Sequence, residues 1–90
     1  MKKTAEEYLH EHQTTVAYGI LKDTVNNLQA HYIALSRAAY GDPETQKRWN
    51  TRMSQARKAV LNIDPDDLQA VTDLTERYSA ELRELQREEG

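Results

Sequence analysis

A four-residue stretch near the middle of the chain, GDPE at residues 41–44, decides the fold. Gly41 suits the left-handed conformation that ends many helices. Asp42 and Pro43 then provide an N-cap and a first helical residue, and Glu44 places an acidic side chain near the positive start of a helix. The stretch therefore predicts a tight turn that ends one helix and starts another.

Two further signals complete the layout. NIDPDD at residues 62–67 repeats the pattern of a cap followed by proline, and TAEE at residues 4–7 has the spacing of a capping box. Outside these turns the residues are mostly good helix formers, with no alternating β-branched run typical of a strand. The sequence predicts an all-α, three-helix antiparallel bundle with helices at about 4–40, 43–62 and 65–88, in one domain spanning 1–90.

Composition restricts the class of protein. A chain of 90 residues forms one domain and buries only about 60% of the surface that its unfolded form exposes. It has no cysteine, so disulfides, thiolate metal sites and thiol nucleophiles are excluded. The longest apolar runs are a few residues long, which predicts neither a signal peptide nor a membrane span. We expect a cytoplasmic protein.

The second and third helices each have one apolar seam, whereas the first has two. On the first helix one stripe includes Leu9, Val16 and Ile20, and another begins at Leu21 and is rotated by roughly 100°. The change occurs at Gly19, a residue that destabilises a helix interior by about 1 kcal/mol relative to alanine. The seams of the later helices are Trp49, Met53, Ala56, Val60 and Ile63, then Leu68, Val71, Thr75, Tyr78, Leu82 and Leu85.

The first helix is too long for the other two to cover. At 1.5 Å per residue it extends roughly 55 Å, against about 30 and 36 Å for the others. Either the chain is kinked or broken at Gly19 into a fourth helix, or the first half buries its stripe on another chain. We favour the second alternative, a homodimer formed through Leu9, Val16 and Ile20.

A band of tyrosines with one isoleucine also follows the first helix outside the core stripe. Tyrosine supplies contact area with a polar tip and loses little side-chain entropy, so it is common at interfaces. The alternative is a wide apolar face that contacts both other helices. The sequence therefore predicts a protein-binding surface at Tyr8, Tyr18, Ile33 and Tyr40.

The second helix is basic and suggests a nucleic-acid alternative through Lys47, Arg48, Arg52 and Arg57. Residues 42–63 carry five basic and two acidic side chains, whereas residues 64–90 carry three basic and nine acidic ones. Since the acidic third helix must lie beside the basic second, charge complementarity inside the bundle explains the pattern without nucleic acid.

The stretch EEYLHEH at residues 6–12 raises the question of a metal site, because Glu7 and His10 have the Glu-x-x-His spacing of di-iron bundles. A second copy of the motif is missing, and His10 and His12 are only two residues apart, so they point to nearly opposite sides. The sequence contains no glycine-rich phosphate loop and no nucleophile motif. We therefore expect that the protein is not an enzyme and holds no cofactor or metal. We expect instead a small regulator, inhibitor or adaptor that binds another protein.

Overall fold

The computed structural model describes residues 4–89, so the ends of the predicted domain, residues 1–3 and 90, lie outside the described residues. Three helices follow one another: α1 at Ala5–Ala38, α2 at Pro43–Asn62 and α3 at Leu68–Glu89. Residues 4–89 contain no strand. The predicted all-α three-helix bundle is confirmed.

The first two helices begin at the predicted caps. Thr4 Oγ1 accepts a hydrogen bond from the backbone N–H of Glu7 at 3.2 Å. At α2, Asp42 accepts from both the backbone N–H and the hydroxyl of Thr45, at 3.2 and 2.6 Å. Gly41 has φ +92°, the left-handed conformation that glycine adopts without strain. The GDPE stretch therefore ends and starts helices as its residue types predict.

The third helix begins three residues later than predicted, at Leu68 rather than Pro65. The Asp64 carboxylate accepts from the backbone N–H of Asp66 at 3.0 Å, and the Asp64 carbonyl accepts from the N–H of Asp67 at 3.1 Å. These bonds close a turn with proline at its second position, which proline favours. Asp67 caps α3 instead, since its carboxylate accepts from the N–H of Ala70 at 3.1 Å.

The core lies along one half of α1. This helix packs against both α2 and α3, whereas within residues 4–89 the backbones of α2 and α3 leave a groove between them. The predicted seams of α2 and α3 supply the other side of the core, and half-buried Trp49, Met53, Val60 and Ile63 pack against it. The buried apolar residues of the core are Leu21, Val25, Leu28, Tyr32, Ala56, Val71, Tyr78 and Leu85.

The N-terminal part of α1 extends past this core. The helix is unbroken from Ala5 to Ala38, so the predicted alternative of a break at Gly19 into a fourth helix does not occur. Its 34 residues extend about 51 Å, against about 30 Å for the 20 residues of α2 and 33 Å for the 22 of α3. The molecule measures 60 × 25 × 15 Å, which is long and flat.

Candidate protein-binding surface

A group of exposed large apolar side chains lies on the N-terminal half of α1, residues 5–20, which we name the arm. Tyr8, Leu9, Val16 and Ile20 are between 47% and 60% exposed. Leu9, Val16 and Ile20 follow helical spacing and share one side of α1, with Tyr8 beside them. The arm therefore presents an apolar stripe about 18 Å from end to end.

The other side of the arm is partly covered by the rest of the molecule. Thr14 is only 4% exposed, and its hydroxyl donates to the carbonyl of Glu11 at 3.0 Å. Ala17 and Tyr18 are half-buried and pack against the core. At 100° per residue, Thr14 and Leu21 lie about 120–160° around the helix from Leu9 and Val16, between a third and nearly half of a turn. The stripe therefore faces away from the core.

The four residues predicted to bind a partner do not form one surface. Tyr8 and Ile33 are exposed on α1, but about 37 Å of helix separates them. The ring of Tyr18 is partly buried, with the ammonium of Lys22 5.8 Å from its centroid. Tyr40 is 92% exposed but lies in the turn after α1, which ends at Ala38. Only Tyr8 therefore belongs to the surface formed by the arm.

The residues predicted for self-association do lie together. Leu9, Val16 and Ile20 are all exposed on the same stripe of the arm. Gly19 is next to them, and a Cβ atom built on it would have no neighbour within 4 Å. Nothing in the described part of the chain therefore packs against the arm at Gly19.

The groove between α2 and α3 is a second candidate surface, and it was not identified from the sequence. Tyr32 of α1 lies at its base, stacked on Trp49 with ring centroids 5.8 Å apart, and its hydroxyl donates to Glu81 Oε1. One section has a volume of about 610 Å³ and is lined by Arg52, Gln55, Ala59, Arg77, Tyr78, Glu81 and Glu84. The only signal in the sequence was the pairing of a basic helix with an acidic one.

The two walls of this groove carry side chains of opposite charge. The guanidinium carbons of Arg48 and Arg52 each lie 5.3 Å from the centroid of the Trp49 ring, a cation–π geometry. Across the groove, burial raises the pKa of the Glu81 carboxyl, and the negative charge of Glu84 raises it further. The groove thus has arginines stacked on Trp49 along one wall and carboxylates along the other.

The basic residues of the nucleic-acid alternative are distributed over three surfaces. Arg48 and Arg52 line the α2–α3 groove opposite Glu81 and Glu84. Lys47 lies on the outer face of α2 in a shallow depression with Lys58. Arg57 lines a different depression between α1 and α2, with Lys22 and Leu61 among its neighbours. They form no continuous basic stripe of the kind that follows a phosphate backbone.

Glu7, His10 and His12 are exposed on the arm. Among residues 4–89, no three histidine, aspartate or glutamate side chains are close enough together to hold a metal ion. Within the same residues, no helix has both the length and the apolar character that a membrane span requires.

Comparison with known proteins gives no further assignment: no family model, curated protein or solved structure matches this chain.

Proposed function

We propose that this protein is a non-enzymatic binding module, a small regulator, inhibitor or adaptor, that acts by binding another protein through the arm and self-associates there. The observation that supports the proposal is the exposed stripe of Leu9, Val16 and Ile20, with Tyr8 beside it, on a helix that extends past its own core. Exposed apolar residues that occur singly are normal, whereas a contiguous group on one helix face is typical of an interaction site.

The chemistry of the arm supports protein over nucleic acid as the partner. Its stripe is apolar, and the first turn next to it carries the acidic residues Glu6 and Glu7. A phosphate backbone would be repelled by such a turn, whereas an apolar groove or helix face on a protein would bury the stripe.

The proposal is tested by placing charge on the stripe. The variant Leu9→Asp with Val16→Asp should lose its bound protein in cross-linking and affinity capture from the source cells, by about tenfold or more, because an aspartate cannot enter an apolar interface without losing its hydration. A matched control is Thr51→Asp with Ser54→Asp, which adds the same charge on the exposed outer face of α2.

Both variants should keep the helical circular dichroism of the parent protein, since all four positions are exposed. Equal capture by the two variants would reject the arm as the binding surface. Steeply salt-dependent binding to DNA or RNA, lost on charge reversal of Arg48 and Arg52, would instead favour the nucleic-acid alternative.

A further inference from the structure

We propose that the protein bound by the arm is a second copy of this chain, and that the two α1 helices lie antiparallel and cross close to Gly19. This inference rests on the proposed function and specifies its partner and geometry. It uses the whole outer side of α1, from the arm to the part of the helix that covers the core.

The outer side of α1 carries one seam, which we name the back seam. It starts at Leu9 and continues at alternating steps of three and four residues, the spacing that keeps residues on one side of a helix in a coiled coil. Every position is exposed, and only Asp23 is charged, although 30% of the protein's residues are charged. The seam consists of Leu9, His12, Val16, Gly19, Asp23, Asn26, Ala30 and Ile33.

Gly19 lies near the centre of the back seam. Glycine is among the least favourable residues in a helix interior, yet α1 continues through it without a break. A Cβ atom there would meet nothing, so no packing inside this chain requires a glycine. A crossing of two helices does give a reason, since a residue without a side chain lets the backbones approach closely.

The exposed residues favour the antiparallel direction. In an antiparallel pair, Leu9 contacts Ile33 of the second copy and Gly19 contacts its Asp23. Each arm then lies along the C-terminal half of the other α1, the half that covers the core. Arg37, exposed in the last turn of α1, then lies next to the acidic first turn of the second copy. A parallel pair would instead place Asp23 against Asp23 and bring the two acidic first turns together.

A second copy fits this surface better than an unrelated protein because the seam is complementary to itself. In a twofold symmetric pair, the contact of Leu9 with Ile33 occurs twice, so both exposed ends of the seam become covered. The seam extends over about 36 Å of helix in each copy. The longer contact buries more surface than one confined to the arm, and a standard specific complex buries roughly 1,200–2,000 Å².

The absence of cysteine makes the register directly measurable by introduced cysteines. A variant with both Leu9→Cys and Ile33→Cys should form a covalent dimer under mild oxidation or with a short thiol cross-linker, while each single variant should not. A dimer linked by Leu9→Cys alone would overturn the antiparallel direction. The double variant with Leu9→Cys and Ile20→Cys serves as a comparison. If it forms a covalent dimer and the variant with Leu9→Cys and Ile33→Cys does not, the two arms pair with each other and the crossing at Gly19 is overturned.

The crossing itself is tested by Gly19→Leu. Because the new side chain enters open space in the single chain, its helix content should be unchanged or higher, while the dimer dissociation constant measured by sedimentation should rise about tenfold or more. Thr51→Leu, which places the same leucine side chain on the exposed face of α2, should leave that constant unchanged. Equal dissociation constants for the two variants would overturn the close crossing.

Failure of this inference is distinguishable from failure of the proposed function. A protein that sediments as a monomer at about 100 µM, well above typical micromolar dissociation constants, and that forms no cross-linked dimer overturns the second copy as partner. In that case, loss of a different captured protein on Leu9→Asp with Val16→Asp would still support the binding of another protein through the arm, which is the other part of the proposed function.

Discussion

The two halves of α1 have the same secondary structure but opposite surroundings. From Leu21 onward the helix contributes four buried apolar side chains to a core shared with α2 and α3, whereas residues 5–20 leave Tyr8, Leu9, Val16 and Ile20 exposed. Both halves are amphipathic, so an apolar stripe does not by itself indicate a core. The length of the neighbouring helices decides which stripe is covered inside the molecule.

A pair of identical substitutions gives the largest expected contrast between the halves. Leu28→Ala, at a fully buried position, should reduce the free energy of unfolding by about 2–5 kcal/mol, because it removes apolar contacts and leaves a cavity. Leu9→Ala in the arm should change it by less than about 0.5 kcal/mol in the dilute protein. Urea unfolding measures both, and similar losses would show that the arm is covered within the single chain.

Substitutions of Asp67 and Asp64 test where α3 begins, and therefore how much of α1 it covers. Asp67→Ala removes the carboxylate that accepts from the N–H of Ala70, and should reduce stability by about 1 kcal/mol. Asp64→Ala affects only the preceding turn, and should have the smaller effect on helix content and thermal stability. The reverse order would mean that α3 begins at Pro65 and covers more of the arm.

A substitution of Gly19, on the exposed side of the arm, should stabilise the protein, whereas the substitutions above destabilise it. Gly19→Ala should raise the free energy of unfolding of the dilute protein by about 0.5–1 kcal/mol, because alanine is the better helix former and its Cβ meets nothing. Thermal unfolding followed by circular dichroism checks this. A loss of stability would place an unseen contact at this position.

The smallest expected effect is a pH dependence of stability that arises where α1 is covered by α2 and α3. There the hydroxyl of Tyr32 donates a hydrogen bond to Glu81. Burial and Glu84 raise the pKa of Glu81 in the folded state, so its protonated form contributes stability at low pH that is lost as the pH rises through the folded pKa. Glu81→Gln cannot ionise, so its stability should depend less on pH across this range. Unfolding curves of the two proteins between pH 4 and 7 measure this, and parallel curves would contradict the assignment.

Much of the fold was predictable because local signals agreed with one another. The capping residues Thr4 and Asp42 set helix starts through hydrogen bonds to amides three residues away, which depend only on nearby sequence. The start of α3 was missed because Asp64-Pro65 and Asp67 are both acceptable beginnings, and the turn bonds of Asp64 favoured the later one.

The candidate site was only partly predictable. The exposed stripe of Leu9, Val16 and Ile20 followed from helix lengths, but the grouping of Tyr18 and Tyr40 with Tyr8 did not hold together in space. Tyr18 lies where α1 first meets the core, and Tyr40 falls just beyond the helix end. Periodicity places a residue on a helix face, but it cannot show which neighbouring helix reaches that level.

The sequence by itself determined the three helices, their antiparallel order and the excess length of the first, because caps, turns and periodicity act over a few residues. Only the tertiary structure decided that α1 stays unbroken at Gly19, that α2 and α3 leave a groove above Tyr32, and which apolar side chains remain exposed. Those features depend on contacts between residues far apart in the chain, for which no local pattern is sufficient.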